Sequence, residues 1–516
     1  MPNLDTGHRH ASAPKITIHV LNHDVLLNIF HWYRLVNTTD VFDRGWNLEH
    51  WWYRPIQVCR TWRHLILASP TRLDLHLVCT HGKPITSMLA HSPPLPLIIY
   101  YVGRLANASG EEDDVLFALL HRDRVRRIHL SAPVPNLLKA LNGEYATLQR
   151  LVIRSGTGVQ LPTKLVAPLL RRLTLSDVRL PSSGSALLLR AEHLVTLELL
   201  EILDTPALHP AQLVAQLAHM AQLERLVLHF RTALPSRTFT QAGMGTHTTT
   251  SVSVTLPRLT LLSYRGSITY LEHTLAYLTT PSLQTLFIDL FAQLSFSLPY
   301  LTRFILRAYF TFHAAELHFD AHTACMMLDH TTNTNNNRST NRTNAVQLRV
   351  SCRALDWQLA SLAQICSALA LPRIEGLTLG LHVSADVDAE PHRAQWHELL
   401  RAFGCTKALQ LTGPRAGHLL RSLLPLPLDI LPALKELLPE RDAENGSGSV
   451  GSTKTLQLTE EIPPALLQEL LPGDGDGDDA EDAERAGLED EEGALDAFIA
   501  EREATGCPVR VFRDWW

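Results

Sequence analysis

One six-residue phrase, apolar-x-x-apolar-x-apolar, recurs along most of this chain and restricts its fold more than any other feature. It runs as Val125/Ile128/Leu130, Leu148/Leu151/Ile153, Leu170/Leu173/Leu175 and Leu194/Leu197/Leu199. It continues as Leu223/Leu226/Leu228, Leu259/Leu262/Tyr264, Leu283/Leu286/Ile288 and Leu301/Phe304/Leu306, then returns at Ile374/Leu377/Leu379 and, shortened, at Leu434/Leu437. Starts of the first eight copies lie 18 to 36 residues apart. The closing apolar-x-apolar puts two side chains on one face of a strand, because side chains alternate along it. The apolar residue three places earlier closes the turn leading in. No single unit can cover its own apolar face, so neighbours must stack. The 516 residues, 45% hydrophobic, exceed one ordinary compact domain and suit an extended array or several domains.

That spacing is the period range of leucine-rich repeats, each a strand with a helical or irregular return. The asparagine that usually closes such a repeat is replaced by Gly156, Val178, Ile202 and Arg231. The sequence therefore predicts an α/β fold. A short helical module over 15–75 is followed by an irregular leucine-rich-repeat solenoid over 76–440, a curved parallel sheet with helices or loops on its convex side. Within it, Arg72 to Cys79 and Leu97 to Val102 read as strands, with a helix and proline turn between Pro84 and Pro96. Polar, periodless stretches over 238–255 and 331–344 read as flexible loops. Residues 1–14 read as a disordered arm, 441–494 as a Gly/Ser and acidic linker, and 495–516 as a C-terminal capping helix and strand.

Near the start, Val25, Leu26, Ile29, Phe30 and Tyr33 fall on one helix face, with Asn22 or Asp24 available as its cap. A second helix carries Ile56, Cys59, Trp62, His64, Leu65 and Ile66, punctuated by Arg60 and Arg63. Two such short helices bury little alone, which implies a partner. The runs Leu21-x-x-Asp24-Val25-Leu26-x-x-Ile29-Phe30 and Val58-Cys59-Arg60-x-Trp62-Arg63-x-Leu65 resemble an F-box. The wider frame is similar to F-box and leucine-rich-repeat proteins common in mushroom-forming fungi. The chain departs from that pattern at Asn22, where proline is usual, at Asp24, where glutamate is usual, and in an insertion over 37–52. The inserted Trp46, Trp51 and Trp52 are candidates to fill the junction with the first repeat.

The resemblance implies a non-enzymatic substrate receptor of a Skp–cullin–F-box ubiquitin ligase. Leu21, Val25, Leu26, Ile29 and Phe30, with Val58, Cys59, Trp62 and Leu65, would dock a Skp-type adaptor and through it a cullin. The concave face would hold an unknown target protein through the outward strand residues Arg150, Arg172, Thr174, Glu198, Arg225, His229, Arg265, Phe287 and Asp289. So mixed a surface suits a protein better than a small molecule, which wants a closed apolar pocket. The alternative is a repeat scaffold without ligase association, its F-box-like part serving as the N-terminal cap; Asn22 favours it.

Other chemistries find no support. The seven scattered cysteines include no C-x-x-C, which argues for a reducing, intracellular (cytoplasmic or nuclear) setting. No signal peptide opens the chain, and Asp289, Pro299, Arg303 and Arg307 interrupt its most lipophilic stretch, so no membrane is expected. His121-Arg122-Asp123 imitates a kinase catalytic loop, but Ile128 stands where the metal-binding asparagine belongs. Gly446-x-Gly448-x-x-Gly451 follows no buried strand and reads as a linker. Asp474, Asp476 and Asp478 begin like a calcium loop, yet Asp479 and Arg485 occupy the places of its glycine and glutamate. Histidine pairs such as His8/His10 and His392/His397 lack partners at ligand spacing. No catalytic residue, metal site or cofactor is expected.

Net charge is −6, but residues 1–440 carry 40 Lys/Arg against 32 Asp/Glu and residues 441–516 carry 6 against 20. A basic body raises nucleic acid as a partner, though no basic run of five or more supports it. The cluster Arg122/Arg124/Arg126/Arg127 reads as a solvated edge of the first repeat, with phosphate or an acidic peptide as the other possibility.

Overall fold

A computed structural model describes residues 21–38, 51–80, 84–103, 111–181, 186–202, 208–231, 253–291, 296–307, 312–329, 345–369, 371, 373–382, 392–413, 419, 423, 430–439, 499–500, 502–505 and 509–511. The arm over 1–14, the interrupting stretches save 253–255, the linker over 441–494, Trp46 and most of the 37–52 insertion lie outside these residues. The chain divides into two compact units, Met1–Ala207 and Leu208–Trp516. Each is α/β, a mostly parallel sheet flanked by helices, and among the described residues no barrel closes.

The first unit opens with α1 (His23–Thr38), α2 (Pro55–Val58) and α3 (Arg60–Leu67). Asn22 caps α1: its side-chain oxygen accepts the Asp24 N–H at 3.4 Å. Asp24 itself turns to Arg72, at 2.9 Å. The single second helix expected from Ile56 to Ile66 is broken at Cys59, which is extended (φ −156°, ψ 169°). The break has a local cause, since the Cys59 sulfur accepts the Trp62 N–H at 3.4 Å and so caps α3.

The strands of this unit are β1 (Leu77–Thr80), β2 (Leu97–Val102), β3 (Val125–Ser131), β4 (Gly143–Glu144), β5 (Arg150–Gln160), β6 (Leu165–Val166), β7 (Arg172–Arg179) and β8 (Thr196–Ile202). The main sheet runs β1-β2-β3-β5-β7-β8, all parallel, while β4 and β6 pair separately. The strand expected to begin at Arg72 starts only at Leu77, because Asp74 takes a left-handed conformation (φ 51°) and turns the chain. Leu73 and Leu75 are buried all the same.

The recurring phrase becomes a ladder. Ile128, Leu151, Leu173 and Leu197 lie on consecutive rungs, as do Leu130, Ile153, Leu175 and Leu199, and all are at most 2% exposed. Truncating one such leucine to alanine costs about 2–5 kcal/mol. Two places beyond the final residue of the phrase, Ala132, Asp177 and Glu201 all have positive φ (47°, 52° and 50°); Ala132 follows β3, whereas Asp177 and Glu201 turn the backbone within the last residues of β7 and β8.

The second unit contains β9 (Arg225–Phe230), β10 (Val254–Thr255), β11 (Leu261–Gly266), β12 (Leu278–Thr279), β13 (Thr285–Phe291), β14 (Ala314–Phe319), β15 (Thr323–Asp329), β16 (Ala345–Ser351), β17 (Gly376–Leu381), β18 (Ala408–Thr412), β19 (Glu436–Pro439) and β20 (Arg510–Val511). Its main sheet runs β9-β11-β13-β16-β15-β14-β17-β18-β19-β20, antiparallel only at β14–β15 and β15–β16. The phrase Leu301/Phe304/Leu306 is not a strand but the helix Pro299–Arg307, which buries Leu301, Phe304 and Ile305 at helical spacing and exposes Leu306. Its first free N–H groups, on Tyr300 and Leu301, are accepted by the Glu272 carboxylate at 2.8 Å each. Burial raises the Glu272 pKa against the opposing pull of those two hydrogen bonds. From the C-terminal segment, β20 pairs with β19, and Arg502, 1% exposed, donates to the Leu431 carbonyl at 3.2 Å.

Candidate functional site

The helical module packs around Phe30 of α1 and Trp62 of α3, whose rings meet edge-on at 4.9 Å. Leu26, Leu27, Phe30, Leu65 and Ile66 are buried. Val25, Ile29, Trp32 and Tyr33 face outward on α1, 44%, 42%, 65% and 38% exposed, and Val58 on α2 is 62% exposed. The apolar set expected to act together is therefore divided. Leu26, Phe30 and Leu65 close the module internally; Val25, Ile29 and Val58 lie outside; Leu21, Cys59 and Trp62 are half-buried. Trp32 belongs to the outer stripe by the i, i+4 and i+7 spacing of Val25, Ile29 and Trp32 but was hidden among adjacent apolar residues.

Several contacts fasten this module to the start of the sheet. Trp51 and Trp52 are buried, and the Trp52 indole N–H donates to the His76 carbonyl at 3.3 Å. Arg34 of α1 reaches Asp74 at 3.4 Å, and Arg126 of β3 also binds that carboxylate. Burial alone would raise the Asp74 pKa, but Arg126, His76 and Arg127 together hold it below the usual carboxylate range.

The cluster Arg122/Arg124/Arg126/Arg127 is engaged internally rather than solvated as an edge. Arg122 lies over the Tyr145 ring, Arg124 donates to the Leu95 carbonyl at 3.0 Å, Arg126 joins Asp74 and Gln149, and Arg127 approaches Asp74 at 4.0 Å. Gly143, at φ 137°, allows Arg122 to lie where any side chain would stand.

The outward strand residues form regular rows within each unit. In the first, Arg150 is in register with Arg172, while Val152, Thr174 and Glu198 form the adjoining row. The Thr174 hydroxyl donates to Glu198 at 3.0 Å. His129, in register with Val152, has its pKa lowered to about 4 by burial, then by Arg154 and Arg150. In the second unit, His229, Arg265, Asp289 and Arg349 share a row. His229 has its pKa lowered to about 4 by burial and the neighbouring Arg265 and Arg225, and its Nε2 meets the Ser263 hydroxyl at 2.9 Å. Arg265 pairs with Asp289 at 3.5 Å, and burial nevertheless raises the Asp289 pKa. Phe287 is half-buried beside Ser263 and Gln347. Arg349 was invisible as a row member because β16 lacks the recurring phrase.

Among the described residues no group of three or more His, Cys, Asp or Glu side chains could hold a metal ion, and no helix is long and apolar enough to cross a membrane. No protein-family model matches the chain, and no curated protein matches it.

Proposed function

We propose that this chain is a non-enzymatic substrate receptor of a Skp–cullin–F-box ubiquitin ligase. The observation that carries the reading is the outer stripe of Val25, Ile29 and Trp32 on α1. It is a solvent-facing apolar surface on a helical module whose interior is already filled by Phe30 and Trp62. Large apolar side chains left outward together mark interaction surfaces. The stripe would take the Skp-type adaptor, while the sheet, read as an irregular leucine-rich-repeat solenoid, would present its outward rows to a target protein. The receptor performs no chemistry; it raises the effective concentration of a target lysine near the conjugating enzyme.

Co-purification with a Skp adaptor and a cullin tests this. Ile29→Asp with Trp32→Ala should abolish the complex and leave the fold intact, since both side chains face solvent. Absence of a wild-type complex rejects the ligase role, and a complex indifferent to both substitutions rejects this surface.

A second reading is a repeat scaffold whose helical module is only the N-terminal cap of the array. The Trp52–His76 and Arg34–Asp74 contacts favour it, because they fasten the module to the first strand as a cap requires.

A further inference from the structure

The helix Pro299–Arg307 of the second unit has an outer face that its packing leaves open. Leu301, Phe304 and Ile305 are buried, whereas Tyr300 and Leu306 are exposed. Arg303 and Arg307, one turn apart on this helix, are exposed as well. The Arg303 guanidinium lies over the Tyr300 ring, 5.6 Å from its centre, and neither arginine forms an ion pair among the described residues. Glu272 is the one acid of the adjacent helix Ile268–Leu275, and its carboxylate already accepts the Tyr300 and Leu301 N–H groups.

Between Pro299–Arg307 and residues 275–281 runs a half-open groove of about 470 Å³. The buried Leu278 and Phe304 form its apolar floor, and the exposed Arg303, Leu306 and Arg307 its rim. Leu278 belongs to β12, which pairs with β10 on one side and has no strand on the other among the described residues. Val254 is in register with Leu278 and donates to the Tyr277 carbonyl at 2.8 Å, while Leu256 donates to the Thr279 carbonyl at 2.9 Å. In this parallel ladder the bonds to β10 come from the residues flanking Leu278, so its own N–H and C=O point away from β10. No residue of β10 lines the groove, and the open edge of β12 therefore borders it.

We propose that this groove binds an extended segment of a partner protein with an acid-apolar-acid pattern. An open strand edge is a template for a further extended chain, whose main chain supplies the pairing. Side chains of such a chain alternate between faces, so one apolar residue turns to the floor while the acids on either side of it turn to the rim. Those two acids lie about 7 Å apart, and Arg303 and Arg307 are separated by about 6 Å along the helix axis. Guanidinium groups hold carboxylates by paired, charge-assisted hydrogen bonds, so the two arginines select an acidic segment over a neutral one. The groove shares no residue with the adaptor stripe or the outward strand rows, and it stands or falls separately from the ligase reading.

The test is fluorescence anisotropy with the full chain and labelled dodecapeptides of Gly and Ser that carry Glu-Leu-Glu at the centre. The Glu-Leu-Glu peptide should bind about tenfold or more tighter than either Gln-Leu-Gln or Glu-Ser-Glu, and added salt should weaken it. Methylating the main-chain nitrogens of the triplet should also weaken it. Arg303→Gln with Arg307→Gln should abolish binding, while Arg401→Gln, at an exposed helical position of the same unit, should not. Leu306→Glu, which puts a carboxylate on the rim from an exposed site, should repel the peptide and serves if the glutamine pair misfolds. Equal affinity for the Gln-Leu-Gln peptide, or unchanged affinity in both rim variants, overturns the proposal. Tighter binding of free dodecanoate, or a dimer in sedimentation that the glutamine pair dissolves, overturns it in favour of a small amphiphile or a second copy of the chain. Adaptor co-purification with the same variants keeps the two readings apart, since a retained adaptor with a lost peptide bears on the groove alone.

Discussion

Trp52 and His76 are joined by a hydrogen bond from the indole N–H to the main-chain carbonyl, 3.3 Å long and buried at both ends. It links the segment before α2 to the residue preceding β1. The His76 ring completes the connection by donating from Nδ1 to the Asp74 carbonyl at 2.9 Å, across the left-handed turn. Helical module and sheet edge are therefore one packed body within the first unit.

Replacing Trp52 with phenylalanine keeps much of the ring volume but leaves the His76 carbonyl without its donor. The expected cost is about 1–3 kcal/mol, the usual range for a buried group stripped of its partner. Urea unfolding followed by tryptophan fluorescence of the remaining indoles checks it. An unchanged midpoint would mean that the contact contributes nothing.

Acid should destabilise the protein well above the pH at which ordinary carboxylates titrate. His76, His129 and His229 have pKa values lowered from 6.5 to about 4, in each case first by burial and then by arginines. Their unfolded forms take up protons from pH 6.5 downward while the folded forms do not. The stabilisation is complete above pH 6.5 and is lost as pH falls towards 4, at up to roughly 3 kcal/mol for each ring. Asp74, with a lowered pKa, adds a further loss as pH falls through the carboxylate range; Glu272, with a raised one, works in the opposite sense. Urea midpoints at pH 7, 5.5 and 4.5 should fall in that order, and histidine NMR titration should show three rings still neutral at pH 5.

Ala132 and Glu201 hold left-handed backbone conformations without the freedom of glycine. The conformation costs a residue with a Cβ about 1–2 kcal/mol. Ala132→Gly should raise the thermal midpoint, with part of the gain offset by the greater entropy of glycine in the unfolded chain. Differential scanning calorimetry of Ala132→Gly and Glu201→Gly measures the balance. A lower midpoint in both would show that the turn carries no strain.

The parallel strands were legible wherever leucine or isoleucine filled all three places of the phrase. Strand β18 was missed because Thr406, fully buried, stands where the first leucine belongs; β14 was missed because its middle place is Ala315. Leu301/Phe304/Leu306 misled for the opposite reason. Its first interval of three also suits a helix, and Ile305, beside Phe304, supplies the i+4 position that only a helix buries with Leu301. On α1, Val25/Leu26 and Ile29/Phe30 are adjacent apolar pairs, so the pattern located the helix but not which member of each pair faces inward. Arg127, Arg150 and Arg172 stand at the third place of three phrases, but that they share one row depends on register, which only strand pairing supplies.

The antiparallel excursion of β14, β15 and β16 bears on the order in which the second unit is assembled. Strand β13 pairs with β16, not with the next strand in the chain, and β14 is separated from β13 by two strands, β16 and β15. A linear stack of repeats can grow from any nucleus by adding neighbours. Here growth beyond β13 must wait until the chain has passed outward, doubled back twice and delivered β16, a closure with a high entropic threshold. This junction is expected to act as a kinetic checkpoint, with β9–β13 on one side and β17–β20 on the other free to nucleate before it is passed.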